Sequence, residues 1–221
     1  MKSREFRDEL ARRAHDAGLT VPSALEGRLE TYYRLLVDWN AKINLTSLDV
    51  SRVTPEAVDR VLIEPLVAAR HAPVWARRLV DIGSGGGSPA IPFALAAPSI
   101  QLLMVESRGR KAVFLKEALR ALDMTDSEVA TTRYEELLTR PEEREAYNLL
   151  TVRAVRIGTP MLMRMQSFLA PRGQMFLFRG TGRPEEAPGL PLKHAGTHPL
   201  IESRGSQLVI FEKLSEDSVT L

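Results

Sequence analysis

The sequence has no cysteine, which excludes disulfides, cysteine-rich zinc sites and a thiol nucleophile and agrees with a reducing compartment. Its four histidines, His15, His71, His194 and His198, assemble no recognisable metal site. The four-residue step from His194 to His198 falls on a predicted strand or turn, where it does not create the shared ligand face of a helix. No metal ligand is therefore expected. Neither sign of charge dominates: 30 Lys and Arg against 28 Asp and Glu give +2, a weakly basic chain rather than a polycation. Basic residues do cluster locally, at Arg12 with Arg13, Arg77 with Arg78, Arg108 with Arg110 and Lys111, and Arg153 with Arg156. These are phosphate contacts if they share a face and solvated element ends if they do not. The stretch 82–105 lacks charge, but its glycine cluster and Pro89, Pro92 and Pro98 read as loop, buried helix and buried strand, so no membrane span is expected. Met1 to Leu10 lacks the apolar core of a signal peptide and carries too many acids for a transit peptide, which makes the cytoplasm the expected location.

The composition is that of an ordinary globular protein, and 221 residues suffice for one domain with an elaboration. Residues 3–17 carry Phe6, Leu10, Ala14 and Ala17 at helical spacing, and Leu25, Leu29, Tyr32 and Leu36 mark a second amphipathic helix running to Trp39 and Asn40. Thr54-Pro55 reads as an N-cap with proline in the first turn, opening a helical stretch that reaches Arg70 with a break at Pro65. Residues 1–72 are accordingly an N-terminal helical extension packed on a core domain of residues 73–221.

Leu79-Val80-Asp81-Ile82 is a short apolar strand placed directly before Gly83-Ser84-Gly85-Gly86-Gly87-Ser88, a loop nearly free of side chains, so backbone can approach a ligand closely there. A dinucleotide fingerprint G-x-G-x-x-G counted from Gly83 places Ser88 at its third small position, an imperfect match. Asp81-x-Gly83-x-Gly85-x-Gly87 fits better as the acidic-x-G-x-G-x-G pattern of S-adenosylmethionine (SAM) methyltransferases. Roughly 20 residues on, Gln101 to Val105 reads as a second strand and Glu106 as the carboxylate at its end that binds ribose hydroxyls. NAD and SAM both carry a ribose, so Glu106 supports an adenosyl cofactor without choosing between them.

From Arg77 the pattern alternates: strand 78–82, helix 89–97, strand 101–106, helix 109–122, strand 127–132, strand 147–152, helix 159–169 and strand 173–178. Strands separated by helices imply parallel βαβ units. After a Gly/Pro-rich loop, Gly180 to Pro191, two strand candidates at 192–198 and 207–213 lack a helix-length connection and should pair antiparallel. The fold expected is α/β: the Rossmann-like sheet of class I SAM-dependent methyltransferases, with a terminal antiparallel strand and the N-terminal helical extension. That ending shifts the choice of cofactor toward SAM.

Five ordered segments resemble the bacterial small-subunit ribosomal RNA methyltransferase G family, also called glucose-inhibited division protein B. Trp39-Asn40-Ala41-Lys42-Ile43-Asn44-Leu45-Thr46-Ser47 is similar to its W-N-x-x-x-N-L-T-S signature, and the loop from Asp81 to Pro92 to its D-x-G-[ST]-G-x-G-x-P-G-I-P segment. Glu106-Ser107 with Lys111, Phe114 and Leu115 resembles D-S-x-x-[KR]-[KR]-x-x-F-L, while Arg133-Tyr134-Glu135-Glu136 and Val152-Arg153-Ala154-Val155 match later landmarks. Two segments depart from the family. Its R-H-x-x-D-S becomes Arg60-Val61-Leu62-Ile63-Glu64-Pro65, and a Lys-Gly after the fifth strand becomes Arg179-Gly180.

The resemblance implies SAM-dependent methylation of guanine N7 in small-subunit rRNA, with rRNA or the ribosomal subunit as partner and a monomer as the expected state. By position it implies that Asp81, Gly83, Gly85 and Ser88 form the methionine side of the site, Glu106 takes the ribose, Tyr134 and Glu135 lie near adenine, and Arg153 lines the meeting point of cofactor and base. N7 is already a lone-pair nucleophile and the sulfonium an activated donor, so positioning can be the mechanism and no catalytic base or triad is required. Trp39 and Tyr134 are candidate stacking platforms for a base or core packing residues. Open beside this reading are a SAM enzyme with another RNA position or a small molecule as acceptor, a cofactor-binding relative without turnover, and more remotely a nicotinamide oxidoreductase.

Overall fold

The computed structural model describes residues 1–153, 157–180 and 189–215. Ala154, Val155 and Arg156, and the centre of the Gly/Pro-rich loop, lie outside the described residues. Helix α1 (Ser3–Asp16) buries Phe6, Leu10 and Ala14, and α2 (Ser23–Asn40) buries Leu29, Tyr32, Tyr33 and Leu36, the three- and four-residue steps legible in the sequence. Thr54 caps α3 (Pro55–Val58), its Oγ1 accepting the Ala57 N–H at 3.1 Å.

Pro65 does not break the helical course. A π-helical turn, Asp59–Ile63, carries it into α4 (Glu64–Ala69). Proline has no N–H for the carbonyl of Val61, and in a regular α-turn its ring would clash with that carbonyl. The wider turn, in which the Glu64 N–H reaches the Asp59 carbonyl, accommodates it.

The strands are β1 (Arg78–Ile82), β2 (Gln101–Val105), β3 (Glu128–Ala130), β4 (Tyr147–Arg153), β5 (Leu169–Arg179), β6 (Leu192–Ile201) and β7 (Ser206–Lys213), in the order β3-β2-β1-β4-β5-β7-β6. Neighbours among the first five run parallel, and β7 lies antiparallel between β5 and β6. The connections carry α5 (Ala90–Ala96), α6 (Gly109–Ala121), α7 (Tyr134–Leu137) and α8 (Thr159–Met165). The helix expected over 159–169 ends at Met165 in a 3-10 turn, and β5 starts at Leu169 instead of 173 because Phe168 and Leu169 are both drawn into the core.

Alternation along the strands divides the core by face. Leu79, Leu149, Phe176 and Phe178 point to the side covered by α1 to α6, whereas Val80, Leu150, Met175 and Leu177 point to the side holding Leu137, Leu162 and Met165. Fully buried Asp59 ties distant parts of the chain together. Its carboxylate accepts Arg13 Nε and Nη2 at 2.7 and 2.8 Å and Arg204 Nε, from the turn after β6, at 2.6 Å. Among the described residues no helix is long and apolar enough to cross a membrane.

Candidate cofactor and active site

The sheet reverses its winding between β1 and β4, and the crevice at the C-terminal ends of such strands is where α/β sheets bind ligands. The glycine loop leaves β1 at this point. Gly83 and Ser84 donate their N–H groups to the Val105 carbonyl at 2.9 and 3.2 Å, and Gly83, Gly85 and Gly87 all have positive φ. At Gly87 (φ +82°) a Cβ would also fall 2.6 Å from Ile91 Cδ1, so the residue is fixed both by conformation and by space.

Asp81 is buried in β1, directly opposite Thr151 of β4, and its Oδ1 accepts the Thr151 hydroxyl at 2.6 Å. Burial pushes its carboxyl up to about 6, against the pull of hydrogen bonds and of the Arg153 charge. Its Oδ2, like Arg153 Nε and Nη2, is buried without a hydrogen-bond partner among the described residues. Buried polar atoms are seldom left unpaired, so these are groups that a ligand can complete.

Glu106 follows β2 and braces the loop, its Oε2 accepting the Gly85 N–H at 2.9 Å and its Oε1 the Arg108 N–H at 2.8 Å. Each oxygen keeps a second lone pair for a ribose hydroxyl. Ser88 donates to the Val61 carbonyl at 2.9 Å, a group left free by Pro65, and accepts Arg153 Nη1 at 3.2 Å. The same Nη1 donates to the Arg60 carbonyl. Arg153 lies 4.4 Å over the ring of Phe178, and its Nη2 is 3.1 Å from Oε2 of Glu64. Desolvation lowers the guanidinium pKa to about 10, with the Glu64 carboxylate opposing that shift.

Asp81, Gly83, Gly85, Ser88, Glu106 and Arg153 are thus linked through the ends of β1, β2 and β4. Tyr134 and Glu135 open α7, in the connection from β3 to β4, and take part in none of the contacts just described. Tyr134 is half-buried against the second core, and Glu135 is exposed with Arg164 Nη1 at 4.0 Å. Trp39 packs against Phe114 at 5.9 Å between ring centroids, which is core packing.

Several residues that carry the site had no role in the sequence reading. The Tyr32 hydroxyl donates to the Gly86 carbonyl at 2.6 Å, holding the loop from α2; in the sequence Tyr32 was only one member of an apolar stripe. Asn40 Oδ1 accepts the N–H groups of Leu45 and Thr46 at 2.9 and 3.0 Å, folding the signature segment so that Leu45 lies against Gly86. Thr151 has a weak signal, a lone hydroxyl in an apolar strand. Glu64 was visible only as part of a departing segment.

A cleft of about 820 Å³ between α1, α4 and the end of β6 holds His71 and His198, with ring centroids 4.1 Å apart, and none of the site residues above. The strand-end crevice is assigned as the site despite that cleft's size, because the glycine cradle and the unpaired buried atoms of Asp81 and Arg153 lie there. They fit SAM: a cradle open to a small ligand, a buried carboxylate oxygen for an ammonium, and a strand-end carboxylate for a ribose.

Comparison with known proteins points the same way. The family model for rRNA small subunit methyltransferase G (GidB) matches residues 26–204. The chain is 36% identical over 173 residues to the ribosomal RNA small subunit methyltransferase G of Roseiflexus castenholzii, covering 75% of this chain and 73% of that protein. It is 34% identical over 174 residues to the enzyme of that name from Xanthomonas euvesicatoria pv. vesicatoria, covering 78% and 77%. In fold it resembles a SAM dependent methyltransferase from Aquifex aeolicus, with a TM-score of 0.53 at 10% identity over 73% of this chain and 94% of the other. The protein is a SAM-dependent methyltransferase, and the chain belongs to the GidB family, rRNA small subunit methyltransferase G.

Proposed function

We propose that this enzyme methylates N7 of a guanine in small-subunit rRNA. The observation that carries the reading is the meeting of the Asp81 and glycine-loop cradle with Ser88 and Arg153 at one crevice, in a chain whose relatives are named for that RNA. SAM supplies an activated methyl on a sulfonium. Asp81 Oδ2 would take its ammonium and Glu106 its ribose, the Gly83 to Gly87 backbone would let it approach closely, and Tyr134 and Glu135 would border the adenine. Guanine N7 attacks the methyl with its own lone pair as the methyl–sulfur bond breaks and the thioether product leaves with that electron pair, so the protein has no proton to remove and acts by alignment. Arg153 and Ser88 stand where the base enters and orient it.

The enzyme is read as acting as a monomer, and the ribosomal RNA named for its relatives supports a cytoplasmic location. Residues 1–72 are read as the helical extension and 73–221 as the methyltransferase domain, with the Tyr32 hydroxyl joining them at the Gly86 carbonyl. The test is transfer of radiolabelled methyl from SAM to small-subunit rRNA, free and in assembled subunits, from a strain lacking the protein. The expected product on nucleoside analysis is labelled N7-methylguanosine. No label on either substrate, with SAM bound in a parallel titration, would overturn the proposal.

A further inference from the structure

An arginine at the base-entry end of the site raises an electrostatic difficulty. Guanine methylated at N7 is cationic, so a bare guanidinium beside it opposes the transfer. The structure resolves this with a buried carboxylate. Glu64 is 0% exposed, its Oε2 lies 3.1 Å from Arg153 Nη2, and its Oε1 accepts Arg60 Nη1 at 3.1 Å. It opens α4 directly after the π-helical turn, next to Pro65. The same turn presents the carbonyls of Arg60 and Val61 to Arg153 and Ser88.

We infer that Glu64 is a positioning residue for methyl transfer: it offsets the charge of Arg153 and, with the Arg60 carbonyl and with Ser88 anchored on the Val61 carbonyl, holds the guanidinium in one orientation at the base-entry end of the glycine loop. The turn and the residue after it supply two of four contacts to Arg153: the Arg60 carbonyl accepts Nη1 and Glu64 Oε2 pairs ionically with Nη2, while Ser88 Oγ of the glycine loop also accepts Nη1 and the ring of Phe178 lies 4.4 Å from the guanidinium carbon. Arg60, about one-third exposed, is the second cation on Glu64 and keeps the carboxylate paired as the base enters. Arg153 then offers directed hydrogen bonds with its charge partly offset by the carboxylate it shares with Arg60.

The inference rests on the proposed guanine methylation, and its test separates the two. Glu64→Gln and Glu64→Asp are assayed with small subunits beside the wild type, together with SAM affinity by titration calorimetry and NMR of the Arg153 Nη–H groups, assigned with Arg153→Lys. In Glu64→Gln, kcat should fall about a hundredfold, the scale of losing one preorganised electrostatic contact, while SAM affinity stays within about twofold. Glu64→Asp restores the charge and should recover most of the loss; it also serves if the Gln variant fails to fold. Resolved Nη signals in the wild type should merge in Glu64→Gln as the guanidinium rotates freely. Unchanged kcat in Glu64→Gln, or a loss of SAM affinity as large as the loss of kcat, would overturn the inference. A wild type that methylates no guanine would overturn the function beneath it, and the Nη signals would then decide the positioning of Arg153 by themselves.

Discussion

Acidification should weaken SAM binding through one carboxylate. Asp81 sits in β1 with Oδ1 bonded to Thr151 and Oδ2 unpaired, and burial raises its carboxyl from the ordinary 3.8 to about 6 in the free protein. An ammonium against Oδ2 favours the ionised form, so below about pH 6 binding must first release the proton. If the bound pKa falls under about 4, the apparent affinity drops roughly tenfold between about pH 7 and about pH 5, and near pH 6 about half a proton is released per SAM bound. The sign for stability follows. The folded pKa of this acid lies above its unfolded value, so the free protein is favoured by protonation and loses that advantage as pH rises through about 6. A displacement of about two units corresponds to about 3 kcal/mol of cost at neutral pH, part of which SAM removes. Calorimetric titration in buffers of different ionisation enthalpy measures affinity and proton release together. Asp81→Asn should bind more weakly at neutral pH and show no pH slope. An affinity constant from about pH 5 to about pH 7, or an equal slope in Asp81→Asn, would refute the assignment.

Tyr32→Phe removes the 2.6 Å bond to the Gly86 carbonyl; urea denaturation should show a loss of about 1 to 2 kcal/mol, with weaker SAM binding because the loop is less ordered. Gly87→Ala meets both the positive φ and the 2.6 Å approach to Ile91, so we expect at least about 1 to 3 kcal/mol of destabilisation and SAM heats near baseline; wild-type titration would show that the cradle tolerates a side chain. Asn40→Ala orphans the Leu45 and Thr46 N–H groups, and hydrogen exchange at those two amides should accelerate at a cost of about 1 kcal/mol, whereas unchanged protection would assign their order to other contacts.

The parallel half of the fold was readable because strands such as 78–82 and 101–106 are short apolar runs bounded by glycine, proline or charge, and only helices separate them. The glycine loop was readable for a related reason, since no other residue allows three positive φ values in five positions. Pro65 misled because proline usually ends a helix, and the sequence does not show that one wider turn can absorb it. The pairing of Arg153 with Glu64 across 89 positions was not visible, because a buried charge and a solvated one look alike in one dimension. Glu106 was placed correctly as a strand-end carboxylate, but its grip on the Gly85 N–H depends on backbone directions that no spacing rule encodes.

The Asp59 cluster has a consequence for how the enzyme is made. Its carboxylate lies 46 positions from Arg13 and 145 from Arg204, so one of its two cations is synthesised long after it. Until β6 and the turn after it emerge, Asp59 must stay solvated or rest on a single arginine, since a half-compensated carboxylate is costly to bury. Asp59 opens the π-helical turn that leads through Arg60 to Glu64 and Arg153, so the crevice takes its final shape only after β6 and the turn following it have left the ribosome.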